Sequence, residues 1–455
     1  LYGRDIVSWT ALIAGYAQAG QGHQALNCLE LMQKEGLYPN EVTFTCILNA
    51  CSSIGAIDVG KQIHKEILDR GFLEKYIVLG NALVDMYAKC GMLVKAKQLL
   101  EKLPIRNVAT WNALVEGYAQ EEKGHAALDC FEQMKREGVS PDEVTFVCIL
   151  KACGSIGGER IQKLHNELVN RGLLEKSIIV GNTLLSLYAK CGEIAKARKV
   201  FESLPVRNAV SWNILIAGYA QTDQGHEAFK CFECMQTEGL SPDEATFVSI
   251  LNACTKTGAI EKGKKIHDDI LSTGLLDKSM VLGSALVSMY AKCGLLAKAQ
   301  QVLEALRYRD TVCWSALITG YAQERHGHEA LNCFTKMQRE GHSPDDVTFL
   351  CVLKACCHVG KLDDAQTYYE NMSRKYGILP NLQHLTCMVV IYGCAGQFDK
   401  AISVVKTMAA TADPSAWVAL LTISRKWGNL KLGKLGFEQM TQHEKNLELG
   451  ICSEE

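Results

Sequence analysis

SWTALIAGYAQ at 8–18 returns as TWNALVEGYAQ at 110–120, SWNILIAGYAQ at 211–221 and CWSALITGYAQ at 313–323. Trp9, Trp111, Trp212, Trp314 and Trp417 mark the same beat, with separations of 102, 101, 102 and 103 residues. Self-similarity at a fixed period is the signature of a solenoid, whose units bury their apolar faces only by stacking on one another. Function is therefore to be sought in what the repeat presents along its length, and a single enclosed pocket is the wrong target.

Each beat divides into three helical hairpins. The first runs from Ile6 to Asn40; its opening helix places Trp9, Leu12, Ile13, Tyr16 and Ala17 on one apolar face, and its second helix does so with Ala25, Cys28, Leu29 and Met32. Gly36 is a natural helix stop, and Pro39 follows where a helix cannot continue. The second hairpin, Glu41 to Tyr76, lines its helices with Phe44, Ile47, Leu48 and Cys51, then with Val59, Ile63 and Ile67. The third, Ile77 to Asn107, turns inward Ala82, Leu83, Met86 and Tyr87 and closes on Ala88-Lys89-Cys90-Gly91. Lengths of 35, 36 and 31 residues then recur with small variation, and no strand pattern intervenes. The expected fold is all-α, a right-handed superhelical solenoid of helix-turn-helix units.

Length alone, 455 residues, suggests about three ordinary domains, but one continuous core overrides that division. No apolar run reaches the roughly 18–20 residues of a membrane span, and no membrane partner is expected. A formal net charge of −2 gives no bulk electrostatic footprint. A nucleic-acid partner would have to be held by local positive stripes and base contacts. Of twenty cysteines, fourteen sit at four repeat positions (beginning with Cys28, Cys46, Cys51 and Cys90), as expected of small buried hydrophobes in a reducing compartment. Leu1 to Asp5 align with Leu103 to Asn107, so residues 1–5 read as the tail of a repeat that begins upstream, where any targeting segment would also lie.

Tetratricopeptide repeats keep a steady length of about 34 residues, which this alternation does not. The chain instead resembles the pentatricopeptide repeat family, in its plant subclass of P, L and S repeats in rotation. The match rests on the WNALI-GYAQ helix, the M-x-x-E-G-x-x-P-[DN] closing (Met134 to Asp142), the MYAKCG of the short repeats and the VTFxxIL-AC opening of the L repeats, and it covers residues 1–447. In that alignment residues 6–413 are twelve repeats. The P repeats are 6–40, 108–142, 209–243 and 311–345; the L repeats are 41–76, 143–177, 244–279 and 346–381; the S repeats are 77–107, 178–208, 280–310 and a divergent 382–413. Residues 414–447, with Trp417, Leu420 and Leu421, resemble the E motif of organellar editing factors; 448–455 are an unassigned tail.

The resemblance implies that single-stranded RNA is read one base per repeat, through the fifth and the last residue of each unit. Residues two and five of a helix are three apart and share a face. Residue two is usually aliphatic (Val7, Val78, Val210, Val281, Val312), suited to pack on a splayed base. Residue five is polar in the P and S repeats: Thr10, Asn81, Asn112, Asn182, Asn213, Ser284 and Ser315. The last residue is Asn40, Asn107, Asp142, Asn208, Asp243, Asp310 or Asp345. A short hydroxyl leaves room for a purine and an asparagine reaches a pyrimidine; a carboxylate accepts from a ring N–H of G or U, and an amide can donate to A or C. By the family's code the chain reads 5′-A-n-C-U-n-C-U-n-G-G-n-3′, with n opposite L repeats, and Thr386 with Asp413 would add a G. Helix capping accounts equally for an Asn or Asp at the last position, but not for a polar residue inside the helix. The L repeats carry Thr45, Val147, Val248 and Leu350 at five and are expected to space and pack.

Half-motifs for zinc deamination occur in His64-Lys65-Glu66, His165-Asn166-Glu167 and Cys231-Phe232-Glu233-Cys234. The repeat register explains them without a metal, since the H-x-E with P-C-x-x-C pair that such chemistry needs is incomplete. Lys89, Lys190 and Lys292 are either solvated helix ends or a phosphate-contacting stripe. No catalytic residue, metal or cofactor is expected. The resemblance implies a site-recognition factor for C-to-U editing in mitochondrion or chloroplast, with a DYW-type deaminase acting in trans through 414–447. A helical scaffold for proteins, and RNA stabilisation or processing without editing, remain alternatives.

Overall fold

The computed structural model describes residues 5–155 and 158–408, together with positions 418, 421, 424, 425, 433, 434, 437 and 438. The expected E motif at 414–447 falls almost wholly outside the described residues. Two compact units divide the chain, Leu1–Gly218 and Tyr219–Glu455. Among the described residues all regular structure is helical, and no helix is long and apolar enough to cross a membrane.

In the first unit the opening helices Ile6–Gln18, Glu41–Ile54, Ile77–Lys89, Val108–Gln120, Glu143–Ala152 and Ile178–Lys190 lie side by side, and those starting at 6, 41, 77, 108 and 178 have their hairpin partners packed on them as a second layer. The second unit repeats this with Glu244–Thr257, Met280–Lys292, Thr311–Gln323, Asp346–Val359 and Leu382–Cys394. These helices start at 41, 77, 108, 143, 178, 244, 280, 311, 346 and 382, each at the opening of a helical hairpin. Two four-residue helices, Phe72–Lys75 and Leu173–Lys176, were not expected; each lies directly ahead of the next hairpin, which opens at Ile77 or Ile178.

Equivalent positions are buried in unit after unit. Phe44, Phe146, Phe247 and Phe349, about a hundred residues apart, and likewise Met32, Met134, Met235 and Met337, have at most 1% of their surface exposed. Each such side chain contributes roughly 1.5–3 kcal/mol of transfer free energy. Leu12 departs from the pattern. Its counterparts Leu114, Leu215 and Leu317 are buried, whereas Leu12, on the first described helix, is 46% exposed.

The opening helices approach closely through small residues. A Cβ on Gly117 would stand 2.7 Å from the Ala88 Cβ, which is fixed to the neighbouring backbone; Gly15, the same residue of the first repeat, has open space. Gly117→Ala is therefore expected to lower stability by about 1–3 kcal/mol through overpacking, and Gly15→Ala to raise it by up to about 1 kcal/mol through helix propensity. Urea midpoints of the two variants test this; equal gains would mean that the helices part freely.

The cysteine expectation needs correction in part. Nine of the fourteen repeat-position thiols are buried, but Cys46, Cys90, Cys191, Cys231 and Cys293 are half-buried, because they lie at helix ends or on flanking faces. Burial pushes the Cys51 thiol up to about 11 and those of Cys153, Cys254 and Cys356 to about 12. Such thiols are poor nucleophiles and poor metal ligands at neutral pH.

Candidate nucleic-acid interface

Each residue expected from the sequence to close a P or S repeat between 6 and 345 is the N-cap of the helix that follows. Asn40, Asn107, Asp142, Asn208, Asp243, Asp310 and Asp345 each accept, through Oδ1, the backbone N–H three residues on, at 2.7–3.0 Å. Such a cap stabilises a helix by about 1 kcal/mol. Capping is thus present throughout, and the question becomes whether it exhausts these side chains.

At the junction that follows 108–142 it does not. Asp142 Oδ1 accepts from the Thr145 N–H at 2.8 Å, from the Thr145 hydroxyl at 2.8 Å and from Asn112 Nδ2 at 3.1 Å. All these bonds fall on one oxygen, which leaves Oδ2 as an acceptor. Asn112 spends its carbonyl on the Thr145 hydroxyl, 2.7 Å away, and one amide hydrogen on Asp142; its second amide hydrogen remains. Burial pushes the Asp142 carboxyl up, but the hydrogen bonds from Thr145 and Asn112 outweigh it and hold the group below the ordinary carboxylate range. At neutral pH it is an acceptor only.

The same arrangement recurs. Asn182 Nδ2 donates to Asn208 Oδ1 at 3.3 Å, and the Ser211 hydroxyl donates to Asn182 Oδ1 at 2.7 Å. Asn81 Oδ1 accepts from the Thr110 hydroxyl at 2.7 Å, and Thr110 also reaches the cap Asn107. With hydroxyls at five, Thr10 meets Thr43 at 2.7 Å, Ser315 meets Thr348 at 2.6 Å, and Ser284 lies 3.0 Å from Asp310 Oδ2. Ser284 and Ser315 are buried, whereas the asparagines at five are half-buried. Asn213 belongs to the first unit and Asp243 to the second.

A third member of the site was not anticipated from the sequence: residue three of the following repeat. It is Thr43, Thr110, Thr145, Ser211, Thr246, Cys313 or Thr348, and each is at most 1% exposed. The signal was present, since an Asn or Asp followed three residues later by Thr or Ser is a capping-box pattern.

Residue two stands in the open beside these clusters. Val7 is 72% exposed, Val78 60%, Ile179 59% and Val210 52%. Single exposed valines are ordinary; one at the same place in successive units forms a row. Two grooves in the first unit combine the row with the polar pairs. One, of about 600 Å³, is lined by Val78, Asn81, Ala109, Asn112 and Asp142; the other, of about 490 Å³, by Ile179, Asn182, Asn208 and Val210, with Lys151 and Lys190 at its side. Lys89, the counterpart of Lys190, is tied to Asp85 at 3.0 Å. A larger cavity of about 680 Å³ lies elsewhere, among His64, Leu68, Lys95 and Lys102, and holds none of the expected base-contacting residues.

The half-motifs of deamination are engaged in packing. His64 and His165, and with them His267, which fills the same repeat slot without the glutamate, each share a hydrogen bond with a tyrosine of the next repeat, Tyr87, Tyr188 or Tyr290, at 2.9–3.1 Å. Burial, aided by nearby lysines, lowers the affinity of these imidazoles for a proton. Glu66 accepts from Arg70, and Cys234 is exposed while Cys231 is half-buried.

In class the molecule is an α-solenoid whose inter-repeat junctions carry a regular set of polar side chains beside exposed aliphatic ones. Known proteins give the class its family. A model described as PPR repeat family matches residues 4–53, 106–155, 207–256 and 309–358, and one described as PPR repeat matches 42–72, 81–108, 182–208, 347–376 and 384–410. A pentatricopeptide repeat-containing protein of Arabidopsis thaliana is 34% identical over 447 residues, 97% of this chain and 53% of that protein. Another from that plant, named as chloroplastic, is 34% identical over 438 residues, 96% of this chain and 54% of its own length. The chain spans about half the length of these two relatives. The crystal structure of the pentatricopeptide repeat protein PPR10 in complex with an 18-nt psaJ RNA element superposes with a TM-score of 0.69 at 17% identity, covering 97% of this chain and 80% of that one. PPR10 from maize, solved alone, gives 0.61 at 18% identity over 100% of this chain and 75% of its own. The chain belongs to the pentatricopeptide repeat family, and its fold is that family's helical solenoid.

Proposed function

We propose that this protein binds single-stranded RNA in a sequence-specific manner, one base opposite each P and S repeat, and that it selects sites for C-to-U editing of mitochondrial or chloroplast transcripts. The observation that carries the reading is the recurrent cluster of residue five, last residue and exposed residue two. In it the cap uses one atom of the Asn or Asp, and at Asp142 the other atom stays available to a base. Family membership and the RNA held by PPR10 support RNA as the partner; the relative named as chloroplastic supports an organelle. In this reading residues 6–413 are twelve repeats in P-L-S order, and 414–447 form an E motif that engages a DYW-type deaminase in trans. The edited C would lie four nucleotides beyond the base opposite the last S repeat. The protein itself would perform no catalysis.

A gel shift at fixed salt tests the reading with 5′-A-n-C-U-n-C-U-n-G-G-n-3′ and a scrambled RNA of the same composition. With about 1–3 kcal/mol lost per mismatched base, the designed RNA is expected to bind at least about a hundredfold more tightly. Equal affinities would sink base readout and leave the protein scaffold as the better account. Salt must be held constant because phosphate contacts contribute a sequence-independent part of any affinity.

A further inference from the structure

We propose that residue three of the following repeat is a specificity-determining positioning residue. Its hydroxyl fixes the orientation of the asparagine amide at five, so that NH₂ and not C=O faces the base. This rests on the base-reading function proposed above and assigns a further residue to it.

At three junctions within the first unit a hydroxyl donates to the asparagine carbonyl at the same distance, 2.7 Å: Thr110 to Asn81, Thr145 to Asn112 and Ser211 to Asn182. These hydroxyl residues are fully buried, with 0% exposure, so water does not compete for the bond. The bond partners also decide which end of the amide lies where. Asp142 is ionised and can only accept, so the atom of Asn112 beside it must be Nδ2. The Thr145 oxygen already accepts from the Asp142 N–H at 3.1 Å, which leaves its hydrogen for the acceptors Asn112 Oδ1 and Asp142 Oδ1. Turning the amide over would set its carbonyl oxygen against the carboxylate oxygen with no hydrogen between them. The remaining hydrogen on Nδ2 is then a fixed donor, matched to the ring carbonyl O2 that C and U share.

The distribution of residue three within the chain agrees with this role. Every asparagine at five, Asn81, Asn112, Asn182 and Asn213, is followed by a hydroxyl at three: Thr110, Thr145, Ser211 and Thr246. The one thiol at that place, Cys313, follows Ser284, whose rotor has no amide to orient. Sγ of Cys313 lies 3.2 Å from the serine oxygen.

The test uses the full chain carrying Thr145→Val, which removes the hydroxyl and keeps shape and backbone N–H, with Thr145→Ser as the rescue. Dissociation constants are measured for four RNAs that differ only at the fourth base, opposite repeat 108–142, and for four that differ only at the first. The wild type should favour pyrimidine over purine at the fourth base by about tenfold or more, the scale of one good base contact. Thr145→Val should cut that ratio at least about fivefold, leave the ratio at the first base unchanged and be reversed by Thr145→Ser. Ser211→Ala, read at the sixth base, repeats the test at an independent junction should Thr145→Val fold poorly. Equal loss on all four RNAs, or a retained ratio, would overturn the proposal and make residue three a packing and capping residue only. No preference at the fourth base in the wild type would instead bring down base reading itself, and this inference with it.

Discussion

Replacing Ile179 and Val210 together by aspartate is expected to weaken binding of matched and singly mismatched RNA alike, by about a hundredfold or more. The two side chains are residue two of consecutive repeats and flank Asn182 in one groove. A base held between them would lose its apolar packing, roughly 0.8 kcal/mol per buried methylene equivalent, and the new carboxylates would repel neighbouring phosphates. The doubly substituted chain should melt where the wild type does, since both side chains are more than half exposed and support no core. Ile179→Ser with Val210→Ser separates lost contact from added charge; it should cost about tenfold, with the pyrimidine preference opposite Asn182 weakened because the base is no longer held in plane. Unchanged affinity in both double variants would remove the base from this groove.

How far the sequence reaches depends on which physical effect decides each feature. Helix starts at Glu41, Ile77, Val108 and Glu143 were legible because apolar periodicity and N-cap chemistry are local and agree at each boundary. The helices Phe72–Lys75 and Leu173–Lys176 were not, since four residues make one turn and show no period. In a solenoid a residue is buried by the neighbouring unit and not by its own helix, so helical periodicity alone does not fix the exposure of Leu12. Residue two was assigned to the right face, but periodicity cannot say that Val7 stays 72% exposed.

The interface shows the same division. Residues five and last were taken from the family pattern, and the structure brings Asn112 to Asp142 and Asn182 to Asn208 across the 30 and 26 residues that separate them. Capping and base reading stood as rival explanations of the last residue only while the side chain was treated as one object. With Oδ1 holding the helix and Oδ2 left to accept, Asp142 can serve both, and the cap would hold a base-reading side chain rigid. The role proposed for residue three depends on a side chain about thirty positions earlier, which no local motif discloses.

Asp142→Asn should exchange the base preferred opposite repeat 108–142 without disturbing the fold. The amide keeps a carbonyl oxygen where Oδ1 stands, so the bonds from the Thr145 N–H, the Thr145 hydroxyl and Asn112 Nδ2 persist, and asparagine caps a helix about as well as aspartate. Its nitrogen takes the place of Oδ2 and converts the outer acceptor into a donor. Uracil offers a ring N–H to an acceptor, whereas cytosine offers a bare ring nitrogen to a donor. Affinity for RNA with U at the fourth base should fall by about 1–3 kcal/mol, and RNA with C there should recover most of the loss. Since hydrogen bonding holds the wild-type carboxyl below its ordinary range, the U preference should persist into mild acid and fade only as pH falls through that lowered value. The amide variant should show no such fading. Equal loss on both RNAs would make Asp142 purely structural, and no change on either would favour a scaffold that reads no base.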